Sequence, residues 1–234
     1  MNLLALDTST SMGGVSIFKD SKPCIELNWV RQKSHTETVT AAIQECLNQA
    51  NIQLGEIERL AVGMGPGSFT GIRIGINIIR TISYSLNIPI CSFDTPHLLA
   101  TNVTAFEGTI VAGINAFKNQ IYYSIYQKDG SEFKRVKGPE ADSLANIAEQ
   151  IEEKALFVGD GFDVYKSQLD EDQIKKFIRI NTESDFPLPS HLAKLSLDES
   201  STTFDWKTLQ PLYIRASEAE EKLKAGILKP LPKF

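Results

Sequence analysis

The segment Gly63–Gly75, GMGPGSFTGIRIG, constrains the fold of this chain more than any other stretch: five glycines fall in thirteen residues. It follows an apolar run that reads as a buried strand, IERLAVGMG, and continues into a long apolar helix pattern. The chain must therefore turn tightly from a strand into a helix. Such turns often hold a phosphate, because the N–H groups and the dipole at a helix start attract anions. The familiar phosphate patterns nevertheless fail. G-x-x-x-x-G-K-[ST] needs a lysine, and none occurs between Lys33 and Lys118. G-x-G-x-x-G fails because Ser68 stands where the third glycine belongs. The esterase pattern G-x-S-x-G fails because Pro66 and Thr70 flank the pair around Ser68. Two readings remain: a weak anion or nucleotide site that includes Gly67 and Ser68, or a turn whose glycines serve close packing.

The helix that follows, expected over about Thr70–Leu86, is unusually apolar. Gly71, Ile72, Ile74, Gly75, Ile76, Ile78, Ile79, Ile82 and Leu86 cover an arc of about 200°, roughly twice the stripe of an ordinary surface helix. Arg73, Asn77, Arg80, Thr81 and Tyr84 fill the rest. Such a helix is either sandwiched inside its own core or shared with a partner. Gly71 and Gly75 lie one turn apart on the apolar face, each costing about 1 kcal/mol relative to alanine, which points to close approach of another backbone.

The chain has 234 residues with net charge −5, which argues against gripping nucleic acid over a wide surface unaided. Three cysteines, Cys24, Cys46 and Cys91, show no C-x-x-C spacing and read as reduced thiols. The start lacks the basic region and apolar run of a signal peptide, and no run is long enough to span a bilayer. A cytoplasmic protein without a membrane association is the expectation.

Catalytic signatures are sparse. His35, His97 and His191 form neither H-E-x-x-H nor H-x-x-x-H, so no metal site is expected. No local pattern marks a serine triad. Asp7 ends a buried strand run and is followed by Thr8, Ser9, Thr10 and Ser11. Phosphotransferases hold magnesium and phosphate with such a carboxylate, but a second acidic partner is missing from the sequence around it. Asp7, Thr8 and Ser9 therefore join Gly67 and Ser68 as a weak nucleotide or anion site; the other reading of Asp7 is a turn cap. No residue is assigned a catalytic role.

Strand runs at NLLALDTS, GGVSIFKD and CIELNWV, a helix from about Thr36 to Ala50 capped by Ser34 or Thr36, and the strand IPICSF complete the first half. The second half starts afresh with TIVAGINA, QIYYSIYQK and EFKRVKG as a meander. DSLANIAEQIEEK reads as a helix, ALFVGDGF and FIRIN as strands, PSHLAKLSL as a helix, and PLYIRASEAEEKL as a strand entering a charged helix. The order predicts an α/β protein with a mixed sheet in each half, divided into 1–104 and 105–234, the last helix packing back on the first half.

LALDTST, KSHTET, GMGPGSFTGIRIG, FVGDGF and PLYIRA, in this order and spacing, resemble the bacterial TsaB (YeaZ) family. The resemblance covers essentially the whole chain. It implies the two-lobed actin/Hsp70/sugar-kinase fold. It also implies a part in placing threonylcarbamoyl on the adenosine beside the anticodon of tRNA, as a non-catalytic subunit of a complex. The implied partners are a catalytic paralogue, TsaD, and an ATPase, TsaE, with tRNA met through the complex. No cofactor is implied for the chain itself, and ATP or ADP with magnesium belongs to the assembled complex. The paralogue carries a metal-binding H-x-x-x-H; here Phe93 takes the first of those positions and His97 the second. Where relatives often carry D-A-R, this chain has Asn115-Ala116-Phe117. In the family, two first-lobe helices, here about Ser34–Ala50 and Thr70–Leu86, form the heterodimer contact and a homodimer contact when the protein is alone. The expected interface residues are Val39, Ile43, Gly71, Ile72, Ile74, Gly75, Ile76 and Ile78. The competing function is a nucleotide-dependent phosphotransferase or ATPase of the same fold using Asp7.

Overall fold

The structure is a computed structural model that describes residues 1–30, 36–130, 132–180 and 185–216. The first half forms β1 (Leu3–Asp7), β2 (Met12–Lys19), β3 (Lys22–Val30), α1 (Thr36–Ala50), β4 (Arg59–Gly63), α2 (Phe69–Leu86), β5 (Ile90–Phe93) and α3 (Thr95–Thr101). The second half forms β6 (Gly108–Asn115), β7 (Ile121–Asp129), β8 (Glu132–Asp142), α4 (Leu144–Glu149), β9 (Ala155–Val158), α5 (Gly161–Tyr165), α6 (Glu171–Lys175), β10 (Phe177–Ile178), α7 (Pro189–Leu195) and β11 (Thr203–Phe204).

Two mixed sheets result. The first runs β11-β5-β4-β1-β2-β3 and the second β10-β9-β6-β7-β8. β1 pairs antiparallel with β2 and parallel with β4, and β6 pairs antiparallel with β7 and parallel with β9. The second sheet thus repeats the order β5-β4-β1-β2-β3 of the first. The central strands are apolar because both faces are covered: all five residues of β1 are buried, and so are all four of β9. α1 and α2 cover one face of the first sheet through Val39, Ile43, Cys46, Ile72, Ile76 and Ile79. Each fully buried isoleucine on α2 contributes roughly 1.5–3 kcal/mol by leaving water. α3 sits between the sheets: Leu98 packs with the first, whereas Leu99 and Ala100 pack with the second.

The chain does not divide cleanly at 104/105. α7 returns to the first sheet, where Leu192 and Ala193 pack against Leu3, Ala5, Phe18 and Ala61, and β11 pairs with β5. The segment PLYIRA is not a strand; it runs beside the glycine turn, with Leu212 N–H donating to Met64 O at 2.8 Å. The helix expected over 142–154 spans only Leu144–Glu149. Ser34 and His35, the charged helix expected after Ala216 and the tail lie outside the described residues. Among the described residues no helix is long and apolar enough to cross a membrane.

Candidate functional site

β1 delivers Asp7 to the carboxyl end of the first sheet, beside β4, and the chain then turns through Thr8–Ser11 into β2. The glycine segment folds over this turn. Ser68 N–H donates to Ser9 O at 2.7 Å, Thr8 Oγ1 donates to Gly71 O at 2.8 Å, and Thr95 Oγ1 donates to Ser9 Oγ at 3.0 Å. Ser68 caps α2, its Oγ accepting from Gly71 N–H at 3.3 Å. The contact is so close that side chains are excluded. A Cβ on Gly71 would lie 2.0 Å from Thr8 O, and one on Gly75 would lie 2.5 Å from Thr8 Oγ1. Gly63 and Gly67 meet Asp7 and Ser9 in the same way, so glycines four apart all face residues 7–9.

Asp7 is sealed by this clamp. Its Oδ1 accepts from Ser9 N–H at 2.9 Å and Ser9 Oγ at 2.8 Å, while Oδ2 is buried without a hydrogen-bond partner and is directed at Gly63. Burial pushes the Asp7 carboxyl up to about 7, and the two Ser9 hydrogen bonds only partly oppose that. Asp7, Thr8, Ser9, Gly67 and Ser68, expected as a weak anion site, are therefore brought together, with Ser9 bonded to both Asp7 and Ser68. Ser9 O takes the N–H of the capping Ser68, and Ser9, Gly67 and Ser68 also line a cavity of about 170 Å³ that faces Asn115 and Asp160. Among the described residues no group of three or more His, Cys, Asp or Glu side chains could hold a metal ion. His97, at the metal-ligand position of the resemblance, stacks on Phe93 with ring centroids 5.8 Å apart and packs beside Tyr126 and Phe133. Burial lowers its pKa.

The eight residues expected at a partner interface separate into two sets. Val39, Ile43, Gly71, Ile72, Gly75 and Ile76 are buried in this chain's own core. Gly71 and Gly75 are turned to Thr8, which corrects the expectation that they admit a partner helix. Ile74 and Ile78 are half-buried. Ile78 flanks a groove of about 360 Å³ between α1 and α2, edged by exposed Thr40, Gln44, Asn77 and Thr81 and floored by Ile43, Leu47 and Ile82. The wide apolar arc of α2 thus has two uses: one stripe fills the core and a second reaches the groove.

The polar face of α2 has a role that the sequence reading missed. Arg73 Nε donates to Tyr213 Oη at 2.9 Å and its guanidinium lies 4.1 Å from the Phe69 ring centroid. The Phe69 and Tyr213 rings stack at 4.2 Å. Arg80 Nε donates to Trp206 O at 2.7 Å, and Tyr84 packs edge-on against Trp206. Residues 205–216 form a strap running antiparallel to α2. The shared spacing of seven, Arg73 and Arg80 against Tyr213 and Trp206, was the available signal.

Across from the glycine turn stands the β6–β7 tip. Asn115 Oδ1 accepts from Phe117 N–H at 2.8 Å and from Tyr165 Oη at 2.7 Å, and Asn115 N–H donates to Asp160 Oδ1 at 2.8 Å. Burial raises the pKa of Asp160. Between the tip, the glycine turn and the strap lies an interlobe cleft of about 270 Å³.

The family model for TsaD, tRNA N6-adenosine threonylcarbamoyltransferase, matches residues 30–223. The tRNA threonylcarbamoyladenosine biosynthesis protein TsaB of Bacillus subtilis is 31% identical over 227 residues, covering 95% of this chain and 97% of that protein. Its namesake in Haemophilus influenzae is 29% identical over 240 residues, covering 95% and 97%. Among solved structures, YeaZ from Pseudomonas aeruginosa superposes with a TM-score of 0.78 at 21% identity, covering 91% of this chain and 99% of that one. The superposition shows that the two chains share one α/β fold with two mixed sheets.

Proposed function

This chain belongs to the TsaB (YeaZ) family of tRNA threonylcarbamoyladenosine biosynthesis proteins, and from that premise we propose that it acts as a non-catalytic subunit of the modifying complex. It pairs with a TsaD-like catalytic paralogue, works beside a TsaE-like ATPase, and forms a homodimer when alone. The observation that carries the non-catalytic reading is the sealing of Asp7. A phosphotransferase needs that carboxylate at the cleft, where it would meet magnesium or phosphate oxygens. Here the carboxyl is buried, directed at Gly63 and tied to Ser9 of the same turn. Nucleotide is then a ligand of the assembled complex and not of this chain.

The α1–α2 groove supports the partner reading, with a revised set of contact residues. Ile74 and Ile78, with Thr40, Gln44, Asn77 and Thr81, form the partner face, and Ile43, Leu47 and Ile82 floor its groove. The test is reconstitution with the paralogue, the ATPase, tRNA and the activated threonylcarbamoyl donor. Wild type should be captured by the tagged paralogue and support modification. Ile78→Glu should lose both while keeping the melting temperature within a few degrees. If capture and modified-nucleoside yield are both unchanged, the face is misassigned.

A further inference from the structure

We propose that Asp94 and Arg135 form a latch that fixes the two lobes at one opening, so that this chain does not close around a ligand. The inference deepens the function proposed above by one point: the chain meets its partner as a rigid body.

Two-lobed enzymes commonly close on their substrates by hinge rotation, a few connecting residues absorbing the change. A latch against that motion must be a specific bond across the lobes, held out of water, with each end fixed to its own lobe. Arg135 stands on β8 in the second lobe and Asp94 follows β5 in the first, 41 positions earlier. Arg135 Nη2 donates to Asp94 Oδ2. The two side chains are 29% and 13% exposed, so their attraction is screened less than that of a surface pair. Both ends are anchored. Arg135 Nε donates to Tyr126 Oη at 2.9 Å, and Tyr126 is fully buried against the second sheet. Asp94 Oδ1 accepts from His97 N–H at 3.0 Å and so caps α3. On either side of Asp94 the backbone is bonded to the glycine turn: Met64 N–H donates to Phe93 O at 3.0 Å, and Thr95 N–H donates to Gly65 O at 2.8 Å. The latch is thus fastened to the same turn that seals Asp7.

Rings fill the joint around the pair. Phe93 and His97, from β5 and α3, face Tyr126 and Phe133, from β7 and β8. The His97 centroid lies 6.0 Å from that of Tyr126 and 5.9 Å from that of Phe133, and the latter two stack at 4.9 Å. Interlocked side chains of this kind hold discrete arrangements and do not deform continuously. Two further ties cross the joint. Asn102 Nδ2, at the end of α3, donates to Phe186 O at 3.0 Å, and the neighbouring Asp185 holds Gly159 N–H of the second lobe at 2.7 Å. Arg215 Nη1, on the strap, donates to Ala116 O at the second-lobe tip at 3.0 Å. Rotation of one lobe against the other has to break these bonds together. The interlobe cleft of about 270 Å³ therefore keeps its width, and closure cannot expel water from it.

The test is a distance between the lobes, read by pulsed electron paramagnetic resonance on the full chain. One spin label sits on Cys24, the exposed member of three cysteines, in the first lobe, and the other on Glu153→Cys in the second. With the latch intact, one narrow distance should appear and stay in place when magnesium ATP or the TsaD-like paralogue is added. Arg135→Ala should broaden or split it while circular dichroism is unchanged. Asp94→Asn keeps the cap on α3 but removes the charge, and should broaden it in the same way. It decides the matter alone if Arg135→Ala does not fold. Two distances in the intact chain, or a shift on adding either ligand, overturn the proposal. Variants as narrow as the intact chain overturn it in favour of lobes held by α3 packing alone. Loss of paralogue capture or of modification with an unmoved distance sinks the proposed function and leaves the latch standing.

Discussion

The sealed carboxyl at the end of β1 gives the sharpest prediction, because its sign and size follow from the structure. Asp7 has a folded pKa of about 7 against an ordinary value of 3.8. Below pH about 4 the group is protonated in both folded and unfolded chains and costs nothing. Between about 4 and 7 the unfolded chain releases the proton and the folded chain keeps it. Stability must then fall with rising pH, by about 1.4 kcal/mol per pH unit. Above pH 7 both states are ionised and the loss levels off at about 4 kcal/mol. Asp7→Asn removes the titration while Oδ1 still accepts from Ser9. Its amide leaves hydrogens unpaired near Gly63, which adds a pH-independent penalty. The quantity to measure is therefore the difference in unfolding free energy between variant and wild type, from urea titrations at a series of pH values. The difference should shift in favour of the variant by about 4 kcal/mol between pH 4 and 7, then stay flat. Groups such as Asp160, whose pKa is also raised, cancel in the difference. A flat difference across that range would refute the desolvated carboxyl. A shift in favour of wild type would mean that a cation reaches Asp7, which would revive the phosphotransferase reading.

Gly71→Ala should lower the melting temperature of the free chain although alanine is the better helix former. A Cβ that meets Thr8 O at 2.0 Å costs about 1–3 kcal/mol in overpacking, more than the gain of about 1 kcal/mol in propensity. An unchanged or raised melting temperature would return that glycine to a partner contact. Arg73→Ala should release the strap, losing a hydrogen bond and a cation–π contact worth together roughly 1–2 kcal/mol, and limited proteolysis should then cut within 205–216 first. Phe117→Gly should raise stability by about 1 kcal/mol by relieving the left-handed backbone at this exposed position; a thermal melt that drops would show that the ring packs.

Local pattern carried far in this chain, and its limit was distance along the sequence. α1 and α2 match their expected spans within a residue, because apolar spacing is a local signal. The repeated meander was also visible, since alternating strands and turn residues are written in short windows. The meaning of the glycines was not. Gly71 and Gly75 announce a close approach, but what approaches is Thr8, more than sixty residues earlier, and sequence spacing names no partner for it. The strap was hidden for the same reason: Arg73 and Tyr213 are separated by 140 positions. PLYIRA read as a strand because its side chains suit one, yet pairing needs a free edge. Here its backbone instead meets the glycine turn, through Leu212 N–H on Met64 O. The return of α7 was likewise unreadable, since its apolar face fits either sheet.

The repeated sheet order sharpens the functional argument. In each lobe the parallel pair at the centre ends where a ligand-binding carboxylate would stand in an open α/β sheet, at Asp7 after β1 and at Asn115 after β6. The first of these is walled off by a glycine segment with room only for backbone. The second is an amide whose oxygen accepts from Phe117 and Tyr165, while the backbone N–H of the same residue donates to Asp160. Among the described residues lining the cleft, the remaining carboxylate is Asp160, already holding the Asn115 N–H and with its pKa raised by burial. A metal-dependent phosphoryl transfer needs one or two carboxylates together with the phosphates they help to hold. Restoring Asn115→Asp alone should therefore produce no ATP turnover, because Asp7 stays sealed. The pair Asn115→Asp with Ser9→Gly, which deletes the hydroxyl that ties down Asp7, should also fail while Gly63 and Gly67 keep the turn closed. Turnover in either variant would show that the clamp is not what silences the site.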